Sequence, residues 1–146
     1  MIRYSLFGSG WLLVAIVLTS AVGCNSTSQS ATAYHVQGNV EFDGRPLPAG
    51  KVYFTPDSSQ GNQGPQGIAT IKDGKYNTRD SRFGVVGGPY IVRVEGYDGV
   101  KPPNDEDNLF PDGQVLFRDY EIKIDFPQKD HVEDIVVPAK AAGASR

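Results

Sequence analysis

Cysteine is almost missing from this sequence: Cys24 is the only one among 146 residues. No intramolecular disulfide can form, so a folded domain must be held by its core, which a chain of this length can supply. Histidine is nearly as scarce. His35 and His131 stand 96 positions apart, and the residues three places after them are Gly38 and Asp134. With no second cysteine and no histidine pair at ligand spacing, a catalytic zinc site is not expected. Both histidines read as ordinary strand-edge residues. Beyond the N-terminal segment there is no G-x-S-x-G step and no phosphate-cradling glycine loop. Gly84 to Gly88 is glycine-rich, but it leads toward a strand, so it lacks the helix dipole that anion binding uses and reads as a turn. Basic runs are missing as well, and the formal net charge is −3, which makes nucleic acid a poor partner. No catalytic residue, cofactor site or metal site is expected.

The chain also lacks charge at its start. Arg3 is the only charged residue among the first 40, and Tyr4 to Gly23 carries none. A charged start, an apolar stretch from Leu12 to Leu18 and small residues before Cys24 make a secretory signal over residues 1–23. A permanent membrane helix is the competing reading, since 20 uncharged residues approach a bilayer span. Gly8, Ser9, Gly10, Thr19 and Ser20 dilute the run and favour the signal.

Ala21-Val22-Gly23-Cys24 resembles the lipobox of bacterial lipoproteins, with Ala21 where the pattern usually has Leu. That resemblance implies a lipid on Cys24 as the first residue of the mature chain, and more than one acyl chain, as stable anchoring requires. The expected place is the cell envelope, membrane-anchored by lipid and facing the periplasm or the exterior. Residues 24–33 are the lipidated cysteine and a polar tether, "NSTSQSATA". Nine flexible residues span roughly 15–18 Å on average.

Long helices are absent from the rest. All ten prolines fall after Cys24, and short alternating runs take the place of helical periodicity. Val36, Val40 and Phe42 share one face of the first run. Val52 and Phe54 continue beyond the Asp43-Gly44 break, with Tyr53 on the opposite face. Asp73-Gly74 suits a two-residue type I′ hairpin, because both central residues need positive φ; it sets Ile71 opposite Tyr76. Tyr90, Val92 and Val94 point away from Arg93 and Glu95. Ile122, Ile124 and Phe126 point inward, with Lys123 and Asp125 outward. "DIVVP" closes the domain at Pro138, and residues 139–146 read as a disordered tail. About seven short strands with one solvated face predict an all-β, antiparallel sandwich over residues 34–138.

"VQGNVEFDGRPLPAGKVYFTP", "GIATIKDGKYNT" and "GVVGGPYIVRVEGYD" together resemble the carboxypeptidase regulatory-like domain, a transthyretin-like β-sandwich found in bacterial envelope lipoproteins. The resemblance is close over residues 36–98 and looser to Pro138. It implies an architectural, non-catalytic module. The peptidase in the family's name would need a His-x-x-Glu pair and a further distant histidine, which this chain does not have.

Residues 97–113, "YDGVKPPNDEDNLFPDG", form the longest stretch without alternation. Loops longer than about 12–15 residues in compact domains are usually functional or disordered. Asp105 and Asp107 in "NDEDN" invite calcium, but the glycine and distal glutamate of an EF-hand loop are missing, so a solvated acidic loop is the plainer expectation. Leu109 and Phe110 are an apolar pair in polar surroundings. Either they fold back and plug one end of the sandwich, as scattered apolar residues often do, or they stay exposed as a partner contact. The expected function is a structural or protein-interaction module, with an unknown envelope protein or glycan as partner. Carbohydrate binding is the alternative. It is weakened because Trp11 leaves with the signal, so that tyrosines would have to supply any aromatic platform.

Overall fold

A computed structural model describes residues 32–81 and 83–143. The expected signal peptide, the expected lipid on Cys24 and most of the expected tether lie outside the described residues. Period-two alternation becomes strand in every run where it was read. In chain order the strands are β1 (Val36–Phe42), β2 (Arg45–Pro46), β3 (Ala49–Pro56), β4 (Gly67–Lys72), β5 (Lys75–Asn77), β6 (Gly88–Tyr97), β7 (Val115–Phe126), β8 (His131–Val132) and β9 (Ile135–Val137). Single turns of 3-10 helix occur at Ser58–Gln60, Thr78–Asp80 and Ala139–Gly143. No helix among the described residues is long and apolar enough to cross a membrane.

The expected all-β, antiparallel architecture is what folds. The strands lie in the order β2-β1-β5-β4-β3-β6-β7, and the sheet curls into a half-barrel. β6 pairs along its length with β3 on one side and β7 on the other. The count is nine rather than about seven because two-residue strands were not legible. β8 and β9 also run parallel to β1, with Val36 opposite His131 and Val40 opposite Ile135. The chain returning from β7 lays these short strands along an edge of β1 that would otherwise be unpaired.

Both Asp-Gly steps form tight turns at positive φ, 51° and 72° for Asp43-Gly44 and 49° and 74° for Asp73-Gly74. In the second hairpin Lys72 faces Lys75, the expected register, but the ladder ends there and does not reach the expected Ile71–Tyr76 pair. The first turn does something the alternation alone did not reveal. It leads only into β2, and β3 then pairs with β4 and β6 rather than with β1. Pro46 and Pro48 remove two ladder donors, while Leu47, fully buried, carries the crossing under the core.

Most of the residues read as inward form that core, with Phe42, Ile122 and Ile124 half-buried against it. Val36, Val40, Val52, Phe54, Ile71, Tyr76, Tyr90, Val92 and Val94 are buried, and Phe126 sits edge-on to both Phe54 and Tyr90 at 5.8 and 5.6 Å between ring centres. The tail departs from expectation over its first five residues. Ala139–Gly143 winds into a 3-10 turn because Ala141 is small enough to be buried and its N–H bonds the Pro138 carbonyl at 2.9 Å.

Candidate functional site

The described chain joins the sheet at one end of β6 and displays its long loop at the other. Tyr34 exchanges backbone hydrogen bonds with Val85, just before β6 begins, at 2.7 and 2.9 Å. The loop from Asp98 to Gln114 follows the last residue of β6. Ten residues of strand separate the two ends, roughly 30 Å at the usual rise.

Backbone acceptors and carboxylates shape that loop. Asp98 closes its neck: one carboxylate oxygen accepts from the N–H groups of Val100 and Gln114, both at 2.9 Å. The N–H of Asp98 also bonds the Gln114 carbonyl, and that of Gly99 the Asp112 carbonyl. Asp105 organises the tip. Its side chain is buried, with one oxygen accepting from the Leu109 N–H at 2.6 Å and the other from the Phe110 N–H at 2.9 Å. The Lys101 ammonium spans the loop to the Asn108 side-chain carbonyl at 2.9 Å.

Holding Leu109 and Phe110 by their backbones leaves their side chains outside. Leu109 is 71% exposed and Phe110 53%, with Val100 nearby in sequence at 65%. The pair therefore does not plug the end of the sandwich. The plug was a reasonable expectation, because an apolar pair in a long loop usually orders it by packing. Here two carboxylates order it instead. Each Asp105 oxygen thus accepts from one backbone donor. Among the described residues no three His, Cys, Asp or Glu side chains gather as metal ligands do.

The two histidines meet, although their sequence separation gave no sign of it. The His131 N–H bonds the His35 carbonyl at 2.9 Å, where β8 joins the start of β1. Asp130 ties this corner together by accepting from the His35 N–H at 2.9 Å and pairing with the Arg79 guanidinium. The backbone bond from His35 and the charge of Arg79 hold its carboxyl below the usual range. The His131 ring lies 3.0 Å from Glu133. These contacts fasten β8 to β1, the strand-edge role expected of both histidines.

Tyr53 and Tyr97 lie on the solvent-facing side of the sheet, half-buried, and both hydroxyls donate to the same oxygen of Glu95, at 3.3 and 3.4 Å. Burial, and then the Glu95 charge, raise both phenols above their ordinary pKa. The Arg93 guanidinium covers the Tyr53 ring, 4.7 Å from its centre. One tyrosine face that could have stacked on a sugar is already occupied.

No protein-family model matches the chain. No curated protein matches it either. Among solved structures, the chain is similar to a DUF3823 family protein from Bacteroides ovatus, at 18% identity and a TM-score of 0.40. The match covers 73% of this chain and 44% of that one, so this chain spans less than half the length of that structure.

Proposed function

We propose that this chain is a non-catalytic lipoprotein of the bacterial cell envelope, whose β-domain engages a protein partner through Leu109 and Phe110. The carrying observation is that both side chains are exposed while a buried carboxylate, Asp105, fixes the backbone beneath them. Folding rarely leaves a leucine and a phenylalanine side by side in water on an ordered loop without a use for them, and exposed aromatics are frequent anchors of interfaces. A lipid on Cys24 would hold the domain from the end where Tyr34 meets Val85. The loop lies beyond the far end of β6 from that point, so attachment there does not cover it.

Kinship with the carboxypeptidase regulatory-like domain belongs to the same proposal. In its favour, both Asp-Gly motifs adopt the tight turns the pattern asks for, and Gly88-Pro89-Tyr90 opens β6 as the Gly-Pro-Tyr motif should. The anchor is tested separately. Cys24→Ser should abolish palmitate incorporation and leave a larger precursor; equal labelling of wild type and variant would remove the lipoprotein reading.

The partner contact is tested by a photo-crosslinking residue at position 110, with a second at Thr55 on the exposed sheet surface as control. In intact envelopes the first should give one discrete adduct that the control does not, and Leu109→Ser/Phe110→Ser in competing excess should fail to suppress it. No adduct at 110, or the same adducts from both positions, would rule the contact out.

A further inference from the structure

A second site lies on the outer face of the sheet, where β1, β5 and β4 run side by side. Its shape follows from the short hairpin. β5 pairs three residues with β1 but only Lys75 with β4, opposite Lys72. Past that pair the two strands part, and the face sinks into an open concavity of about 630 Å³. Alternation along the strands lines it with Gln37 and Asn39, Thr70 and Lys72, and Lys75 and Asn77.

The lining has a definite chemistry. Lys72 and Lys75 are directly opposed, and among the described residues neither has a carboxylate within ion-pair distance. Like charges facing each other across a strand pair are destabilising, so this pair is held at a cost that a bound anion would relieve. The amides are fixed by their neighbours. The Asn77 amide donates to the Gln37 side-chain carbonyl at 3.3 Å, and its own carbonyl accepts from the Arg79 N–H at 2.9 Å. The Asn39 amide donates to Asp134 at 3.0 Å. Left to line the concavity are the Gln37 NH₂ as donor, the Asn39 carbonyl as acceptor, and the Thr70 hydroxyl as either. Asp80 adds one carboxylate acceptor at the rim. The apolar side chain at the site is Val132, since the Tyr76 ring is turned into the core.

We propose that this concavity binds an acidic saccharide, with a sugar carboxylate on the Lys72–Lys75 pair and hydroxyls on Gln37, Asn39 and Thr70. Adjacent sugar hydroxyls both donate and accept, and the fixed amides, hydroxyl and carboxylate answer them in kind. A peptide adding to the β4 edge that parts from β5 would also ask for apolar side-chain pockets, and the lining offers only the exposed Val132. A neutral sugar would leave the two ammonium groups uncompensated and would find no exposed ring to stack on. The site is separate from the Leu109–Phe110 contact, and neither depends on the other.

The test titrates hexagalacturonate into the ¹⁵N-labelled domain, followed by amide chemical shifts. Its fully methyl-esterified form, sodium sulfate and a hexaglutamate peptide serve as comparisons. Hexagalacturonate should move the resonances of Gln37, Thr70, Lys72, Lys75 and Asn77 as one set, more weakly as salt is raised. Lys72→Gln/Lys75→Gln should weaken it about tenfold or more, the scale of lost charge-assisted hydrogen bonds. Gln37→Ala should weaken it less while leaving the salt dependence in place. The ester should bind as poorly as the acid binds the double variant. The proposal is overturned if hexagalacturonate does not bind, or if the lysine variants bind it like wild type. It is equally overturned if sulfate or hexaglutamate moves the same resonances with equal affinity. The opposed charges cost stability, so a double variant that melts no lower than wild type identifies any loss as a binding effect.

Discussion

Two loop structures stand side by side at the far end of β6, made of similar residues and put to opposite uses. One is the turn assembly of Asp43-Gly44, Pro46-Leu47-Pro48 and Asp73-Gly74. The other is the loop from Asp98 to Gln114, whose Gly99 lies against Pro48. In the first, apolar residues go inside: Leu47 and Val40 are fully buried, and the hairpin tip docks on the crossing through bonds from Asp73 N–H to the Pro48 carbonyl and from Gly74 N–H to that of Leu47. In the second, aspartates do the ordering and the apolar residues go outside. A loop ordered by packing has no apolar side chain to spare, whereas a loop ordered by carboxylates can present its side chains to a partner.

The largest expected effect probes the packed side. The two glycines have nearly the same φ, but a Cβ on Gly74 would lie 2.7 Å from the Pro46 Cβ, while one on Gly44 would meet nothing within 4 Å. Gly74→Val should therefore cost about 3–5 kcal/mol, from left-handed strain plus overpacking. Gly44→Val should cost about 1–2 kcal/mol, from strain alone. Urea midpoints measure both, and equal losses would mean that the hairpin tip does not dock.

The local half of that contrast was legible in the sequence. Asp-Gly between alternating runs fixes two positive φ values whatever surrounds it, and alternation fixed the inward faces of β3, β6 and β7. What the turn packs against was not legible, because Pro46 meets Gly74 only after β3 has crossed to β4 and β6. The parallel return of β8 and β9 along β1 was hidden for the same reason, as was the concavity, whose lining comes from β1, β4, β5 and β8 and from the Thr78–Asp80 turn. In the loop, Leu109-Phe110 could be singled out from sequence, but Asp105 read as one acid in a solvated run. Its role depends on burial, which a run of charges does not advertise.

A smaller effect probes the carboxylate side. Asp105→Ala should cost about 1–3 kcal/mol, the scale of leaving donors unpaired. It should also speed hydrogen exchange at the amides of Leu109 and Phe110 specifically. Unchanged exchange there would mean that the carboxylate does not order the tip.

Smaller again at neutral pH is Tyr76→Phe, at about 0.5–1.5 kcal/mol, since it removes one bond from the hydroxyl to the Glu133 carbonyl at 2.8 Å. Its signature lies in alkali. Burial, then the charges of Glu133 and Asp134, hold the Tyr76 phenol well above its ordinary pKa. A group raised in the folded state contributes stability that is present below the unfolded tyrosine value of about 10 and lost as pH rises beyond it. Wild type should therefore lose stability above that pH, and the variant should lose less, the rest coming from Tyr53 and Tyr97, which are raised in the same sense. Parallel alkaline limbs would show that Tyr76 ionises as freely folded as unfolded.

The smallest expected change in stability is the most direct test of the contrast: the urea midpoint of Leu109→Ser/Phe110→Ser. Side chains that only face solvent should be replaceable within about 0.5 kcal/mol, leaving the midpoint where it is in wild type. A loss of roughly 2–5 kcal/mol, the scale of core truncation, would mean that the pair packs against the domain after all and that the loop is ordered as its neighbour is.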